Sequence, residues 1–348
     1  MWALENQTPF AAERTWVRDK NGAEVWVVAV KATWTIHPDG STELAKEQVE
    51  VYRVPLYRGE PGKSSLLSEA DLVHTKPVTD IILHGHAYAP SGTLATQVDV
   101  TLRLGTVQKT LRVFGDRYWG EAFLGPGITD PEPFEKMPVT YERAFGGTDQ
   151  IDDNPKKHGW ERRNPVGTGF ATKAEHLAGH LVPNVEDPHD LIGGWKDRPQ
   201  PAGFGPIARD WSPRVELAGT YDQKWVDERL PLLPLDFDDR FYQSAPKDQQ
   251  ATGYLRGGEA VELMNLTPAG YLSFALPRVW LTFSTELGRE RVEHRANLHT
   301  VTLEPDVPRV IMLWHTMLPC HGKDQKLYRT IIGQKEFVPL GGGELAGD

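Results

Sequence analysis

The chain has 348 residues, enough for a sizeable core in one large domain or two ordinary ones. Hydrophobic residues at 39% and charged residues at 25% fit a globular protein and exclude wholesale disorder. Lys and Arg number 38 against 48 Asp and Glu, and the resulting net charge of -10 gives no global field for nucleic acid or an anionic membrane.

The start, Met1 to Phe10, has neither a basic stretch nor an apolar run of the kind a secretory signal needs, and no run of about 18 apolar residues occurs anywhere. A cytoplasmic chain without a membrane partner is the expectation. The single Cys320 excludes an internal disulfide framework and a thiolate zinc site.

Glu24 to Ile36 is the first clear strand. Trp26, Val28, Val30, Ala32, Trp34 and Ile36 share one parity, and Lys31, Thr33 and Thr35 the other. Val25, Val27 and Ala29 make its first half apolar on both parities, so that half should be covered on both faces. Pro38-Asp39-Gly40 ends it in a turn. Asp80 to Tyr88 reads as a strand. Thr96 to Leu104 alternates cleanly, turns at Gly105-Thr106 and returns as Val107 to Phe114, a hairpin.

The middle changes character. Residues 120 to 219 hold 14 Gly and 12 Pro, a density of breakers that long elements do not survive. The same stretch carries Phe123, Phe134, Phe145, Trp160, Phe170, Trp195, Phe204 and Trp211, aromatic residues that a disordered linker lacks. Ordered loops pinned by aromatic side chains are expected, with short helices at Thr172 to Leu181 and Gln223 to Leu230. Strands resume with Val261 to Leu266, Tyr271 to Leu276, Val279 to Phe283, Leu298 to Leu303, Arg309 to His315 and Tyr328 to Ile332.

Runs of strands without intervening helical patterns predict a mainly β fold. The expected architecture is antiparallel sandwich or barrel-like sheets, with a long, ordered, loop-rich central segment and few short helices. A single domain over 1–340 would contain a β part at 1–119, the loop-rich part at 120–250 and a second β part at 251–340, followed by a frayed tail at 341–348.

Few residue sets suggest chemistry. His84-Gly85-His86 places two imidazoles on one face of the predicted strand, and His315 or His321 could supply a third metal ligand. Two histidines paired with polar neighbours is the plainer reading, and no cofactor is expected. Asp236-Phe237-Asp238-Asp239-Arg240 gathers carboxylates that suit acid-base or cation chemistry, or a charged loop neutralised by Arg240. Asp116, Arg117 and Trp119 follow the hairpin; carboxylate on amides and guanidinium on indole would lock a strand end. Cys320 and His321 are neighbours that a strand would point to opposite faces.

The ordered segments also carry a likeness. Gly85-His86-Ala87-Tyr88-Ala89-Pro90 is followed by Val113-Phe114-Gly115-Asp116-Arg117-Tyr118-Trp119 and by Tyr141-Glu142-Arg143-Ala144-Phe145-Gly146-Gly147. Asn164-Pro165, Pro201-Ala202-Gly203-Phe204-Gly205-Pro206, Phe241-Tyr242-Gln243 and Glu262-Leu263-Met264-Asn265-Leu266-Thr267-Pro268 come after them. This series resembles the DUF2169 family of bacterial proteins over nearly the whole chain. The resemblance implies a cytoplasmic, non-enzymatic adaptor or chaperone that binds a type VI secretion effector and helps load it onto the VgrG spike, itself a possible partner. It carries over no catalytic or ligand residue. Aromatic and arginine side chains of the centre are the candidate partner contacts: Arg117, Trp119, Arg143, Trp160, Trp195, Trp211 and Arg240. The alternatives are a metal-dependent hydrolase using His84 and His86, and a carbohydrate-binding β protein whose tryptophans stack on sugars. The sequence leaves the oligomeric state open.

Overall fold

The computed structural model describes residues 2–90, 93–120 and 126–335. Glu24–Ile36 is one uninterrupted strand, as its alternation predicts. It pairs antiparallel with Ala11–Arg18 on one side and with Arg309–Pro319 on the other. Ala296–Glu304 and then Asp80–Leu83 extend the sheet, the last pair parallel, and Thr42–Leu44 adds to the edge of Glu24–Ile36. Ala11–Arg18 gives no clear sequence signal because its residues are half-buried on both faces and mixed in character.

The hairpin also forms as expected, Val107 opposite Leu104 across Gly105-Thr106. It is the middle of a five-stranded sheet bounded by Val185–Glu186 and by Ala260–Met264 with Tyr271–Ala275. A third sheet brings the two ends of the chain together: Ala3–Asn6 runs parallel to Leu327–Lys335, which pairs with Trp280–Leu287 and, beyond it, Glu290–His294. The three sheets are open, not closed barrels.

One core joins them. Trp26, Val28 and Val30 of the first sheet, Val100, Leu102 and Leu263 of the second, and Phe283 and Ile332 of the third belong to a single buried cluster. Burying such side chains stabilises the fold by about 1.5–3 kcal/mol each before entropy is counted. Val25, Val27 and Ala29 are buried on the opposite face, so the first half of Glu24–Ile36 is indeed covered on both sides. The polar parity is covered too: Gln48 bonds the Thr33 amide, and Asp71 accepts from Lys31.

The central segment folds as strands of two or three residues, 3-10 turns and the α-helix Gln223–Glu228, which Asp222 caps by accepting from the Trp225 amide. Where a helix over Thr172 to Leu181 is expected, only the 3-10 turn Ala174–Leu177 forms; Thr172 is bonded to Asp149 and Gly179 bends the chain at φ 74°. A second, smaller core of Trp119, Phe145, Ala171, Leu177, Val182 and Ile192 lies beneath this region. The strand expected at Asp80 to Tyr88 is broken: the chain leaves one sheet after Leu83 and joins another at His86–Tyr88, which pairs with Lys136–Pro138. Phe123 and the tail 341–348 lie outside the described residues. No helix among the described residues is long and apolar enough to cross a membrane.

Candidate functional site

The loop-rich centre builds a groove. Its walls are residues 146–151, 167–171 and 176–181, and its volume is about 440 Å³. Phe145–Gly146 runs parallel to Thr168–Gly169, and Thr148–Asp149 pairs with Gly159–Trp160. Asn164 locks the junction: its fully buried amide donates to the Tyr141 and Phe145 carbonyls at 2.7 and 3.0 Å. Gly146 has to be glycine there, because a Cβ would lie 2.1 Å from the Asn164 carbonyl oxygen.

Asp149 is the hub of the groove. One carboxylate oxygen accepts from the Thr172 amide at 2.7 Å, the Thr172 hydroxyl at 2.6 Å and His176 Nδ1 at 2.8 Å. These donors outweigh the cost of its burial and hold the carboxyl well below the usual range. With Nδ1 committed to Asp149, Nε2 is the His176 nitrogen left for a ligand. Ile151 is exposed at the groove, and Trp160 is exposed beside it, on the strand paired with Thr148.

A second opening of about 120 Å³ lies on the covered face of the first sheet. Lys31 Nζ sits 2.7 Å from Asp71 and 3.5 Å from the centre of the Tyr52 ring. Lys76 Nζ donates to Asp80 and Thr300 at 2.7 and 2.9 Å. Glu304 pairs with Arg309, and Glu69 with Arg209 and Arg214. These charges are therefore matched, which makes the opening a polar seam of the interior. Behind it, His299 and His315 lie with ring centroids 4.3 Å apart, both buried.

The structure separates the residues that the sequence brings together. His84 Nδ1 accepts from Arg58 at 3.0 Å, whereas His86 Nδ1 bonds Asp306 at 2.6 Å, on opposite sides of the break between two sheets. Burial pushes His84 down to about 3. Among the described residues no three His, Cys, Asp or Glu side chains gather to hold a metal. His315 is interior and His321 occupies a turn at φ 49°. In the acidic run, Asp238 is clamped by Arg240 and Asp236 by Thr220, the charged-loop arrangement.

Three candidate contacts need correction. Trp119 and Trp211 are buried in the smaller and the main core, and Arg117 is buried between Glu186 and the Pro183 carbonyl. Arg117 stacks on Phe114, 3.8 Å from the ring centre, and not on the neighbouring indole. All three are buried, at 1%, 6% and 3% exposure for Trp119, Arg117 and Trp211, so none of them meets solvent where a partner would dock. Arg143 is half-buried and bridges Asp116 and Asn184, and Trp195 is half-buried against the smaller core. Trp160 and Arg240 are exposed. Asp149 and His176 stand 27 residues apart in the sequence, with no motif to link them, and only folding brings them together.

Sheets that share one core and carry a rigid loop module with a surface groove define an open, mainly β protein. The chain belongs to the DUF2169 family, described as an uncharacterized protein conserved in bacteria, whose profile matches residues 21–315. Comparisons with curated proteins and with solved structures returned no match.

Proposed function

We propose that this chain is a cytoplasmic, non-enzymatic adaptor that captures a type VI secretion effector and helps load it onto the VgrG spike. The observation that carries the reading is the groove of the central segment. It is preshaped, because Asn164 and Asp149 tie its walls together through buried hydrogen bonds. Its lining joins glycine main chain to the apolar Ile151 and Phe170 and to the polar Thr148, Thr168 and His180. Such a wall suits an extended peptide, which gains main-chain hydrogen bonds along its length and side-chain contacts at alternate positions. A preorganised groove also spares the ordering entropy that a flexible loop would lose on binding. A single groove of this size holds a client moderately, as release to the spike requires.

The test is co-purification of the chain with the effector encoded beside it. Trp160→Ala combined with Ile151→Asp should lower capture roughly tenfold, about 1.4 kcal/mol, with the circular dichroism spectrum unchanged. Undiminished capture by this double variant would remove the groove from the reading.

A further inference from the structure

Away from the groove, the segment between Thr220 and Asp236 forms a rigid apolar knob. Two bonds from Thr220 to the Asp236 carboxylate, 3.0 Å from the amide and 2.7 Å from the hydroxyl, close its base. Inside it, the Trp225 indole donates to the Leu232 carbonyl at 2.8 Å, and Arg229 donates to the carbonyls of Leu233 and Lys20. These ties leave Tyr221, Val226, Leu230 and Leu235 exposed, Leu235 at 70%. Single exposed apolar residues are ordinary, but four on one closed loop make a patch. Its charges are Asp222, Asp227, Glu228 and Asp236 against Lys224 and Arg229, a surplus of two negative.

A depression of the opposite kind lies on the neighbouring strand. Trp2, Trp16 and Trp26 line it together with Arg14 and Arg53, around a volume of about 380 Å³. Trp2 meets Trp16 edge-on at 5.7 Å, and Trp16 lies 4.8 Å from Trp26. Arg14 and Arg53 share one carboxylate, that of Glu13, so the depression has a surplus of one positive charge. The indole N–H groups of Trp2 and Trp26 have acceptors, Asp324 and Thr330, while the Trp16 N–H is buried with no partner among the described residues. Tryptophan and arginine gathered around a pocket are the usual composition of an interface anchor.

We propose that the knob of one copy seats in the Trp2–Trp16 depression of a second copy. The two elements carry opposite charge, and the exposed apolar side chains of one suit the tryptophan-lined hollow of the other. They also lie on one continuous surface: Arg229 touches Lys20, six residues along the chain from Arg14, roughly 20 Å at strand rise. With plug and socket on one surface, a two-fold axis between them lets the contact form twice and end in a dimer. This pairing is independent of client capture, which uses the groove.

Sedimentation velocity on the purified chain, from 1 to 100 µM in 50 and 300 mM salt, tests it. A dimer that weakens at the higher salt is expected. Leu230→Asp with Leu235→Asp should give monomers with unchanged thermal unfolding, because both side chains are exposed; Arg14→Glu with Arg53→Glu should give monomers too, with its circular dichroism spectrum checked because Arg14 is half-buried and bonded to Glu13. Mixing the two variants should restore association in part, since a mixed pair keeps one intact plug and socket. A wild-type chain that stays monomeric throughout, or a dimer indifferent to both variants, would overturn the proposal. Failure of the mixture to associate at all would do the same.

Discussion

His299 and His315 show how burial sets the behaviour of single residues. Their surroundings disfavour charge, first by desolvation, then for His299 through His315 and for both through Lys76. His315 is pushed down to about 3, and His299 well below its ordinary value. In the unfolded chain both take up protons below about 6.5. Between about 6.5 and 3 the unfolded state therefore holds protons that the folded state refuses. Stability should fall as the medium acidifies through that window and stay level above it. His315→Phe should flatten the decline by up to about 1.4 kcal/mol per pH unit in urea unfolding at pH 7, 6 and 5; an unchanged slope would refute it. Lys31 and Asp71 illustrate the companion case, since desolvation lowers the ammonium and raises the carboxyl while the pair holds both. Lys31→Met should cost about 3–5 kcal/mol by leaving a buried carboxylate without its partner. Adding Asp71→Asn should recover part of the loss, and a double variant no better than the single one would show that the pair is not the cause.

At the scale of elements, periodicity was a sound guide wherever one sheet face was apolar. Glu24–Ile36 and the hairpin at 97–114 were legible because hydrophobic side chains recur every second residue. Asp80–Leu83 and His86–Tyr88 look like one strand in the sequence because pattern carries no information about which partner each half finds. The loop-rich segment was legible as ordered but not in detail, since its backbone is dictated by contacts between distant residues. Gly115 is a case: a Cβ there would lie 1.7 Å from the Glu132 carbonyl oxygen. Gly115→Ala should cost about 3 kcal/mol, measured by chemical denaturation, although alanine is the smallest possible change. A loss below about 0.5 kcal/mol would mean that the two segments separate freely.

At the scale of the whole molecule, the described residues form two cores of unequal size, and stability should be unequal too. Leu177→Ala removes packing from the smaller one, at a local cost of about 2–4 kcal/mol. Amide exchange should then accelerate across 145–182 while 24–36 and 309–319 keep their protection. Equal acceleration in both regions would show one cooperative unit instead. The sequence alone determined that this chain is mainly β, where its hydrophobic strands run, and that its centre is ordered, because alternation and aromatic content are local properties. Tertiary structure alone decided which side chains meet solvent. Trp119, Arg117 and Trp160 look alike as large central residues in the sequence, yet packing buries two and exposes the third. The Asp149–His176 contact likewise depends on a chain reversal that no short window of residues encodes.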